Sequence, residues 1–374
     1  MAKEKPAKKS APVASPKGAT IASLRGKIDR IDQEMVKWMN DRAKLALEIG
    51  KLKNNSGISA YAPAREDEVL GRVLAMSKGP LSDRCVRAVF RELISGSRAL
   101  EKDLRVAYLG PAYSYSHLAA IHRFGQSVEL IPVSNIAAVF EEINLRQADY
   151  GIVPIENSTD GRVADTLDMF TRLPAHICGE VQLRIHHNLL GKCPRAEVEE
   201  VYSKPQALSQ CRNWLAKHLP GARMIEVTST STAAQLAQDK PGAAAIASLQ
   251  AGVQYGLDVL AADIEDNKSN LTRFAVIGDE SGLRTGNDKC SLMFEITHKP
   301  GALADAMNVF KRNRLNLTWI ESFPISRPEG GYMFFVEFEG HEDDARVRRA
   351  ISALERKAVR LEILGSYARM APVE

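Results

Sequence analysis

The fold of the N-terminal region is decided by residues 24–53, which read LRGKIDRIDQEMVKWMNDRAKLALEIGKLK. Apolar residues recur through this stretch at spacings of four and three: Leu24, Ile28, Ile31, Met35, Trp38, Leu45, Ile49 and Leu52. This spacing is the heptad seam of a long helix that packs against another helix. Because about 30 residues at 1.5 Å each give a helix of roughly 45 Å, longer than a small domain covers alone, the pattern predicts a dimer.

One cation, Arg42, takes the seam position between Trp38 and Leu45. An unpaired buried charge costs several kcal/mol, so Arg42 has to meet either a carboxylate of the protein or an anionic ligand. Lys53 follows on the same helix face, roughly 16 Å along the axis, where the two cations could bracket a small dianion. Arg25 lies about 25 Å before Arg42 on another face, and we expect it to reach the ligand of a partner chain.

Two shorter helices are predicted after this one. The first helix stops at Asn54-Asn55-Ser56-Gly57, and Pro63 stands where the first turn of a second helix would begin. That helix continues to Met76, and a third follows Gly79-Pro80 and extends to about Glu101. The N-terminal region is therefore predicted to be all-α.

These helices resemble the helical class of chorismate mutases over about residues 20–102. The resemblance is carried by Leu24-Arg25-x-x-Ile28-Asp29-x-x-Asp32, Arg42, Gly50-Lys51-x-Lys53 and Arg65-Glu66. In that family, both subunits of an interlocked dimer contribute cations to each site, and the pericyclic rearrangement of chorismate to prephenate needs no nucleophile, metal or cofactor. The residues implied to bind substrate are Arg25 from the partner, Arg42, Arg65, Glu66 and Ser97.

Lys53 and Glu101 are the implied donors to the ether oxygen, where negative charge grows as the bond breaks. Two positions depart from the common form of the family. Ala62 stands where an Asp often contacts the substrate hydroxyl, and Glu101 stands where a Gln is common. A carboxyl group donates a hydrogen bond only in its protonated form, so Glu101 has to be protonated to act as a donor.

From Leu104 to about Glu280 the pattern changes to short apolar strands alternating with helices. The predicted strands are Arg105–Leu109, Val128–Pro132, Tyr150–Val153, Glu199–Tyr202 and Ala243–Ile246. This alternation is typical of an α/β fold. Because no G-x-G-x-x-G follows any of these strands, a nicotinamide-dependent dehydrogenase loses its main support.

Clusters of hydroxyl and amide side chains follow the strands instead. They are Ser114-Tyr115-Ser116, Glu156-Asn157-Ser158-Thr159 and Ser229-Thr230-Ser231-Thr232. Each is expected to precede a helix, where free N–H groups and partial positive charge can hold a carboxylate without Lys or Arg. Ordinary N-capping is the favoured explanation of any single cluster, but several converging clusters shift the balance toward an anion site.

This region resembles the prephenate dehydratase family over its whole length. The motifs are Gly110-Pro111 with Ser114-Tyr115-Ser116-His117, Val153-Pro154-Ile155-Glu156-Asn157-Ser158, Ser229-Thr230-Ser231-Thr232-Ala233 and Asn270-Leu271-Thr272-Arg273-Phe274. The family fold is two α/β lobes like a periplasmic binding protein, with prephenate in the cleft. Prephenate loses its ring carboxylate and its hydroxyl together, and aromatisation drives the reaction.

Thr272 is implied to assist the departing hydroxyl, with Arg273 beside it as a carboxylate or structural partner. The other residues implied to bind substrate are Ser114, Asn157, Ser158, Ser229 and Thr230. Tyr113 replaces a glycine usual in the first loop. Three histidines, His117, His186 and His187, are expected to be structural, because no Ser or Cys motif makes any of them an obvious catalytic base.

After the glycine-rich stretch 281–287, the chain predicts the ferredoxin-like order βαββαβ. The elements are a strand at Cys290–Thr297, a helix at Ala302–Asn313, strands at Asn316–Ile325 and Tyr332–Glu339, a helix at Asp343–Glu355 and a strand at Val359–Leu364. Together with His298-Lys299-Pro300-Gly301-Ala302-Leu303 and Ile320-Glu321-Ser322-Phe323-Pro324, this order resembles an ACT domain of the phenylalanine-binding kind. The implied regulatory residues are Gly301, Ala302, Leu303, Glu321 and Ser322, although Phe323 replaces an arginine common in the family.

Composition narrows the remaining function classes. The 374 residues carry a formal net charge of +4, and the six charges of Lys3, Glu4, Lys5, Lys8, Lys9 and Lys17 already account for it. The neutral body gives no electrostatic footprint for nucleic acid. No stretch reaches the roughly 18 apolar residues of a membrane span, and the five cysteines show no C-x-x-C pair. We expect a cytoplasmic protein without metal or cofactor.

The expected organisation is a disordered basic tail (1–19), a chorismate mutase domain (20–102), a prephenate dehydratase domain (103–281), a linker (282–288) and an ACT regulatory domain (289–367). The resemblance is to bifunctional enzymes of phenylalanine biosynthesis that act on chorismate and prephenate, are inhibited by phenylalanine and form at least homodimers. Two other functions stay open: a dehydratase with a weakened mutase, which Ala62 and Glu101 suggest, and a non-catalytic sensor of aromatic acids.

Overall fold

The computed structural model describes residues 20–55, 61–159, 161–325 and 331–373, without the side chains of residues 54 and 55. The tail predicted for residues 1–19 and the turn predicted at Ser56-Gly57 lie outside this range. The chain divides into two compact units, residues 1–58 and 59–374, and each is described by itself.

The first unit contains one helix, α1 (Ile21–Asn55), so the long helix predicted from the heptad seam is confirmed. Its seam residues face solvent in the single chain, with exposures from 44% for Met35 to 68% for Leu52. Such a continuous apolar stripe is unusual on a monomer, because surface helices normally place apolar residues against a core.

The second unit contains eleven α-helices and fifteen strands among the described residues. The helices are α2 (Pro63–Met76), α3 (Asp83–Ala99), α4 (Tyr115–Phe124), α5 (Ile136–Asn144), α6 (Ala164–Arg172), α7 (Pro205–Gln210), α8 (Arg212–His218), α9 (Thr230–Asp239), α10 (Leu249–Gln254), α11 (Ala302–Arg312) and α12 (Ala345–Glu355). The strands are β1 (Arg105–Leu109), β2 (Glu129–Val133), β3 (Tyr150–Asn157), β4 (Gly161–Arg162), β5 (His176–Arg184), β6 (Asn188–Gly191), β7 (Glu200–Ser203), β8 (Arg223–Glu226), β9 (Ala243–Ala247), β10 (Asp258–Ala261), β11 (Leu271–Gly278), β12 (Asp288–Ile296), β13 (Leu317–Pro324), β14 (Tyr332–Glu339) and β15 (Ala358–Ala368).

Helices α2 and α3 have the ends that the sequence predicted. Pro63 occupies the first turn of α2, where a missing N–H is no loss. The Ser82 hydroxyl caps α3 by accepting the Cys85 N–H at 3.3 Å. Helix α3 also contacts the segment that follows α4, where the buried Ser95 hydroxyl accepts the Ser127 N–H at 3.2 Å.

Two sheets form the two lobes of the central region. Lobe 1 has the strand order β2-β1-β3-β11-β5, with β4 paired to β3, and lobe 2 has the order β10-β6-β9-β7-β8. The chain crosses from lobe 1 to lobe 2 between β5 and β6 and returns between β10 and β11. The last strand, β11, enters the middle of lobe 1 antiparallel to both neighbours, which places Thr272 opposite Asn157 and Leu183. The predicted α/β fold with two lobes is confirmed.

The third sheet has the order β13-β14-β12-β15 and carries α11 and α12, so the predicted βαββαβ arrangement is confirmed. Its last strand is longer than predicted and continues to Ala368. This sheet shares one hydrophobic core with lobe 1, in which Phe140 and Ile177 pack in a cluster with Phe335 and Tyr367. The contact is close, because a Cβ added at Gly365 would collide with the Ile177 carbonyl oxygen.

Candidate active site

A cleft of about 830 Å³ opens beside the crossover between the two lobes. Five of the predicted substrate or catalytic residues line it, from both lobes: Ser114, Asn157, Ser229, Thr230 and Thr272. Its wall also includes polar residues that were not predicted: Arg162, His187, Lys204 and Gln210. Arg162 lies on β4, a strand of two residues that carries no sequence signal. Lys204 precedes the short helix α7, and Gln210 is the last residue of that helix.

Two of the three hydroxyl clusters begin helices as predicted. The Ser114 hydroxyl accepts the His117 N–H of α4 at 3.3 Å and donates to the Leu109 carbonyl at 3.0 Å. The Ser229 hydroxyl accepts the Thr232 N–H of α9 at 2.9 Å. Both helices therefore begin at the cleft, and the partial positive charge of a helix N-terminus favours an anion there.

The prediction for the third cluster was wrong, because Glu156-Asn157-Ser158-Thr159 ends strand β3 and leads into β4 rather than into a helix. Ser158 does not line the cleft. Its hydroxyl accepts the Leu271 N–H at 2.9 Å and donates to the Ser269 carbonyl at 3.3 Å. Ser158 thus fastens the end of β3 to the start of β11.

Thr272 and Asn157 meet on neighbouring strands at the cleft wall. The Asn157 Nδ2 donates to the Thr272 hydroxyl at 2.7 Å, and Thr272 is 9% exposed. Asn157 also donates to Asn270 Oδ1 at 3.3 Å, and its own Oδ1 accepts the Thr159 N–H at 2.9 Å. The candidate catalytic hydroxyl is therefore held by a side-chain amide that is itself fixed by the backbone.

The hydrogen bonds continue from Asn270 to the crossover. Asn270 Nδ2 donates to Gln210 Oε1 at 2.9 Å, and His187 Nε2 lies 2.8 Å from the same oxygen. His187 Nδ1 lies 3.2 Å from the Tyr115 hydroxyl, which donates to the His186 carbonyl at 2.8 Å. Burial lowers the pKa of His187 and raises the pKa of Tyr115, so both side chains are neutral near pH 7.

Arg273 points to the opposite face of β11 from Thr272, as alternation along a strand requires. Its guanidinium contacts Glu156 at 2.7 Å, Glu180 at 3.1 Å and also Glu337 of the third sheet. Lys289 pairs with Glu180 at 3.1 Å and Glu337 at 3.3 Å. The charge of Arg273 is thus matched by carboxylates of the protein, which favours the structural one of its two expected roles.

The carboxylate of Glu337 is the centre of this charged cluster. Burial alone would raise the pKa of Glu337, but the charges of Arg273 and Lys289 outweigh burial and hold it at about 2. Hydrogen bonds from Thr318 at 2.6 Å and Tyr367 at 2.8 Å lower it further. Glu337 therefore stays ionised across the physiological range, and its ion pairs join the third sheet to lobe 1.

Tyr113 adopts the conformation of the glycine that it replaces. Its φ of 64° lies in the left-handed region that favours glycine. The Tyr113 N–H donates to His117 Nδ1 at 2.9 Å, and the Tyr113 ring packs edge-on against the His117 ring. Burial lowers the pKa of His117, so its ring is a neutral acceptor that stabilises this turn. This is the structural role expected for His117.

The residues predicted for the mutase lie on three helices. In the first unit, Arg42 and Lys53 are partly buried and Arg25 is exposed on α1. In the second unit, Arg65 pairs with Glu68 at 2.6 Å on the surface of α2. Glu101 follows the end of α3.

A buried arginine, Arg98, was not predicted. It contacts Glu66 at 2.5 Å and the Phe124 carbonyl of α4 at 2.5 Å, and it is 4% exposed. Its neighbour Ser97 donates to the Leu93 carbonyl at 2.7 Å within α3. Burial raises the pKa of Glu66 although Arg98 opposes this shift. Glu66 and Arg98 therefore fasten α2 and α3 to the dehydratase region, a role that the sequence pattern of α3 did not reveal.

The predicted regulatory residues divide between a turn and a strand of the third sheet. Gly301 has a φ of 83° at the start of α11, with Ala302 and Leu303 in its first turn. Glu321 and Ser322 lie on β13, where Arg162 donates to Glu321 Oε2 and to the Ser322 carbonyl, each at 2.9 Å. Phe323 packs against the core shared with lobe 1. The predicted regulatory motif therefore contacts a residue of the cleft wall directly.

One group of side chains could hold a metal ion among the described residues. His186, Asp263 and Glu265 bring ligand atoms within 4.8 Å of one another. The Lys268 ammonium lies 3.8 Å from Glu265 Oε1 and also donates to the Asp263 carbonyl. This ammonium offsets one of the two carboxylate charges and repels a second cation.

Comparison with known proteins agrees with the three regions. The family model of chorismate mutase type II matches residues 24–102, that of prephenate dehydratase residues 106–282, and that of the ACT domain residues 291–356. A bifunctional chorismate mutase/prephenate dehydratase of Aquifex aeolicus is 42% identical over 352 residues, which cover 93% of this chain and 97% of the relative. Within the described residues, no helix has the length and apolar character needed to cross a membrane.

Solved structures agree with the fold of the second unit. A prephenate dehydratase of Arthrobacter aurescens in complex with L-Phe superposes with a TM-score of 0.67 at 33% identity, covering 71% of this chain and 90% of that one. A quorum-quenching acylase superposes with a TM-score of 0.65 at 25% identity, covering 71% and 98%. Because a dehydratase and an acylase share this fold, the fold alone does not identify the reaction, and the side chains of the cleft have to be considered.

Three features define a multidomain enzyme of aromatic amino-acid biosynthesis: the order of the three regions, the two-lobed cleft in which Asn157 holds Thr272, and the third sheet, which matches the ACT domain. This chain belongs to the family of bifunctional chorismate mutase/prephenate dehydratases.

Proposed function

We propose that this chain rearranges chorismate to prephenate, then converts prephenate to phenylpyruvate, and that phenylalanine inhibits the second reaction. The observation that carries the proposal is the hydroxyl of Thr272, held by Asn157 in a cleft where two helices begin. A non-catalytic sensor would have no need for a fixed hydroxyl there. The five cysteines are free, which favours the reducing cytoplasm as the site of both reactions.

In the dehydratase, the starts of α4 and α9 bind the carboxylates of prephenate through Ser114, Ser229 and Thr230. The bond from the ring to its carboxylate breaks, and its electron pair moves into the ring as carbon dioxide leaves. The ring carbon–oxygen bond breaks with its pair on the departing oxygen. Thr272 donates a hydrogen bond to that oxygen, and the hydroxide becomes water with a proton from solvent.

Cations of the cleft wall complement the two carboxylates. Arg162 and Lys204 line the cleft, although neither was predicted from the sequence. Arg273 is not a substrate ligand in this proposal, because its guanidinium contacts three carboxylates on the other face of β11. Its role is to hold β11, and therefore Thr272, against the third sheet.

In the mutase, the protein supplies shape and charge to a pericyclic reaction. Arg42 binds the substrate dianion, and Lys53 donates to the ether oxygen as its charge develops. Glu101, in its protonated form, is the second donor. Arg25 serves the site of a second chain, since the distance along α1 separates it from Arg42 by about 25 Å.

A homodimer completes the first unit. The apolar seam of α1 is exposed in the single chain, from Leu24 at 46% to Leu52 at 68%. An identical helix offers a complementary seam, which is the usual way in which a heptad pattern is buried. The dimer is therefore required for the mutase reaction.

Phenylalanine acts through the third sheet. The turn at Gly301-Ala302-Leu303 and residues Glu321 and Ser322 bind the amino acid. A ligand changes an equilibrium only by its differential affinity for two states. Because Arg162 contacts both Glu321 and the cleft wall, phenylalanine changes the partners of Arg162 and thereby the affinity of the cleft for prephenate.

One assay tests the main proposal and both alternatives. The purified full-length protein is incubated with chorismate alone, and phenylpyruvate and prephenate are followed by chromatography. Phenylpyruvate appears if both reactions occur. Slow chorismate consumption with fast conversion of added prephenate would favour a weakened mutase, and no turnover of either compound would favour a sensor.

A further inference from the structure

A continuous chain of hydrogen bonds runs along the cleft wall from the Thr159 backbone to the Tyr115 hydroxyl. It passes through the amides of Asn157, Asn270 and Gln210 and then through His187. Asn270 and His187 are each 2% exposed, so they have no bulk water to replace a lost partner. Every donor in such a chain has to face an acceptor.

The backbone fixes the direction of the first link. The Thr159 N–H can only donate, so the Asn157 atom that faces it at 2.9 Å has to be Oδ1. The Asn157 Nδ2 is therefore the atom that faces the Thr272 hydroxyl at 2.7 Å. Thr272 accepts this hydrogen bond, and its own proton is left to point elsewhere in the cleft.

The orientation of Asn157 also fixes which atoms donate and which accept in the next two amides. Asn157 Nδ2 also donates to Asn270 Oδ1 at 3.3 Å, which leaves Asn270 Nδ2 to donate to Gln210 Oε1 at 2.9 Å. His187 Nε2 lies 2.8 Å from that same Gln210 oxygen. Because the oxygen can only accept, His187 Nε2 has to carry a proton.

The tautomer of His187 is fixed from the Gln210 side, and its contact with Tyr115 does not fix it independently. Burial lowers the pKa of His187, so the ring is neutral and carries one proton. With that proton on Nε2, Nδ1 is an acceptor, and the Tyr115 hydroxyl 3.2 Å away has a single proton, which it can direct either at Nδ1 or at the His186 carbonyl at 2.8 Å. Flipping any one amide would set two donors or two acceptors against each other. The backbone N–H of Thr159 thus determines the tautomer of His187 through the three amides between them.

We propose that His187 is a positioning residue for the dehydration and acts on Thr272 through the three amides between them. In its Nε2–H tautomer, His187 holds Gln210, and the amide chain keeps the Thr272 proton directed at the departing hydroxyl. This role rests on the catalytic role proposed for Thr272. The competing explanation is that His187 only stabilises the crossover between the lobes, where it lies between β5 and β6.

Two substitutions separate positioning from stabilisation. In His187→Gln, the side-chain amide nitrogen can replace Nε2 as a donor to Gln210. In His187→Asn, the shorter side chain can replace only Nδ1, which faces Tyr115. We expect His187→Asn to lower the kcat of prephenate conversion about tenfold or more with KM within about twofold, the cost of an unpaired buried donor and acceptor. His187→Gln should retain most of the kcat.

Thermal unfolding of both variants provides the control for stability. Equal losses of kcat in His187→Asn and His187→Gln, in proportion to their losses of Tm, would leave only the stabilising role. A second readout does not depend on activity. The full-length protein is labelled with ¹⁵N-histidine, and the His187 signals are identified by their absence in His187→Gln. The nitrogen shifts at pH 7 should report a neutral ring protonated at Nε2.

The two readouts distinguish failure of this inference from failure of the proposed function. A ring protonated at Nδ1, together with an inactive Thr272→Val, would overturn the role of His187 and leave Thr272 as the catalytic residue. Full turnover by Thr272→Val would overturn the proposed function, and the role of His187 with it, whatever the tautomer.

Discussion

The two catalytic regions differ in how much of each is completed by one chain. The dehydratase cleft is surrounded by lobes that bury their own cores, and its candidate threonine is held by hydrogen bonds from the same unit. Helix α1 instead presents its apolar seam to solvent, and Trp38 is 65% exposed. From this difference we expect dehydration to need only a folded chain and the mutase reaction to need a second helix as well.

The largest effect is expected from a charge in the seam of α1. Ile31→Glu should lower mutase activity by about 10³-fold, because burying an unpaired charge costs about 3–5 kcal/mol. Dehydratase activity should change by less than about twofold. Sedimentation velocity would follow the loss of the dimer, and Gln33→Glu, two residues away and off the seam, is the matched control. If both activities fell together, the two regions would not be independent.

The next substitution, in the cleft, should have the opposite selectivity: it should impair the dehydratase and leave the mutase active. Thr272→Val keeps the shape of the side chain but removes its hydroxyl, so phenylpyruvate formation from prephenate should fall by about 10²–10³-fold, the range for one lost transition-state donor. Chorismate should still be consumed, and prephenate should accumulate. Stopped-time chromatography of both compounds measures this. Near-normal turnover would mean that another group, Ser114 or Asn157, assists the departing hydroxyl.

A smaller effect, a loss of about 10²-fold in mutase kcat, is expected for Lys53→Ala, because the second donor proposed for the same oxygen, Glu101, would partly compensate. The dehydratase kcat should be unaffected. Lys51→Ala, two residues earlier on α1 and exposed, serves as the control for lost charge. Equal effects of the two lysine substitutions would mean that only the overall charge of the helix matters.

The buried cluster around Glu337 makes the stability of the second unit depend on acid. The pKa of Glu337 is about 2, against 4.5 for an ordinary glutamate, so its stabilisation is fully present above about pH 4.5 and is lost as the pH falls toward 2. The shift corresponds to about 3 kcal/mol. Urea unfolding should find Glu337→Gln less stable at pH 7 and less sensitive to pH below 4.5. Glu339→Gln, an exposed position on the same strand, should behave like the wild type.

The smallest change in stability is expected for substitution of Arg162, and the activity affected should be inhibition by phenylalanine. Its ion pair with Glu321 is partly exposed, 37% and 26%, so Arg162→Gln should cost less than about 1 kcal/mol. Inhibition by phenylalanine should weaken several-fold, and Glu321→Gln should weaken it similarly, without a further loss in the double variant. Arg172→Gln, which breaks an exposed pair within α6, is the control. Unchanged inhibition would place the coupling elsewhere.

The sequence was sufficient where structure is local. The helix α1, the proline at the start of α2 and the hydroxyl clusters that begin α4 and α9 depend on residues within a few positions of one another, and these four predictions are confirmed. The order of the third sheet was predicted for the same reason, because each of its elements has a clear periodicity of its own.

The sequence was insufficient where strands distant in the chain meet. The motif Asn270–Phe274 was recognised, but its place in a central strand between β3 and β5 was not, since no local pattern fixes a register across more than a hundred residues. That register places Thr272 opposite Asn157 and turns Arg273 toward Glu337. Gln210 was missed because it ends a short helix in lobe 2 and becomes meaningful only beside Asn270.

The late entry of β11 into lobe 1 has a consequence for biosynthesis of the chain. Residues 188–261 form the five strands of lobe 2 without interruption, so this lobe can fold on the ribosome as soon as it emerges. The sheet of lobe 1, begun earlier at Arg105, lacks the strand between β3 and β5 until Gly278 has been synthesised. During translation, the lobe that starts first is therefore the lobe that is completed last. Until then, the edges of β3 and β5 are unpaired and can pair with other strands.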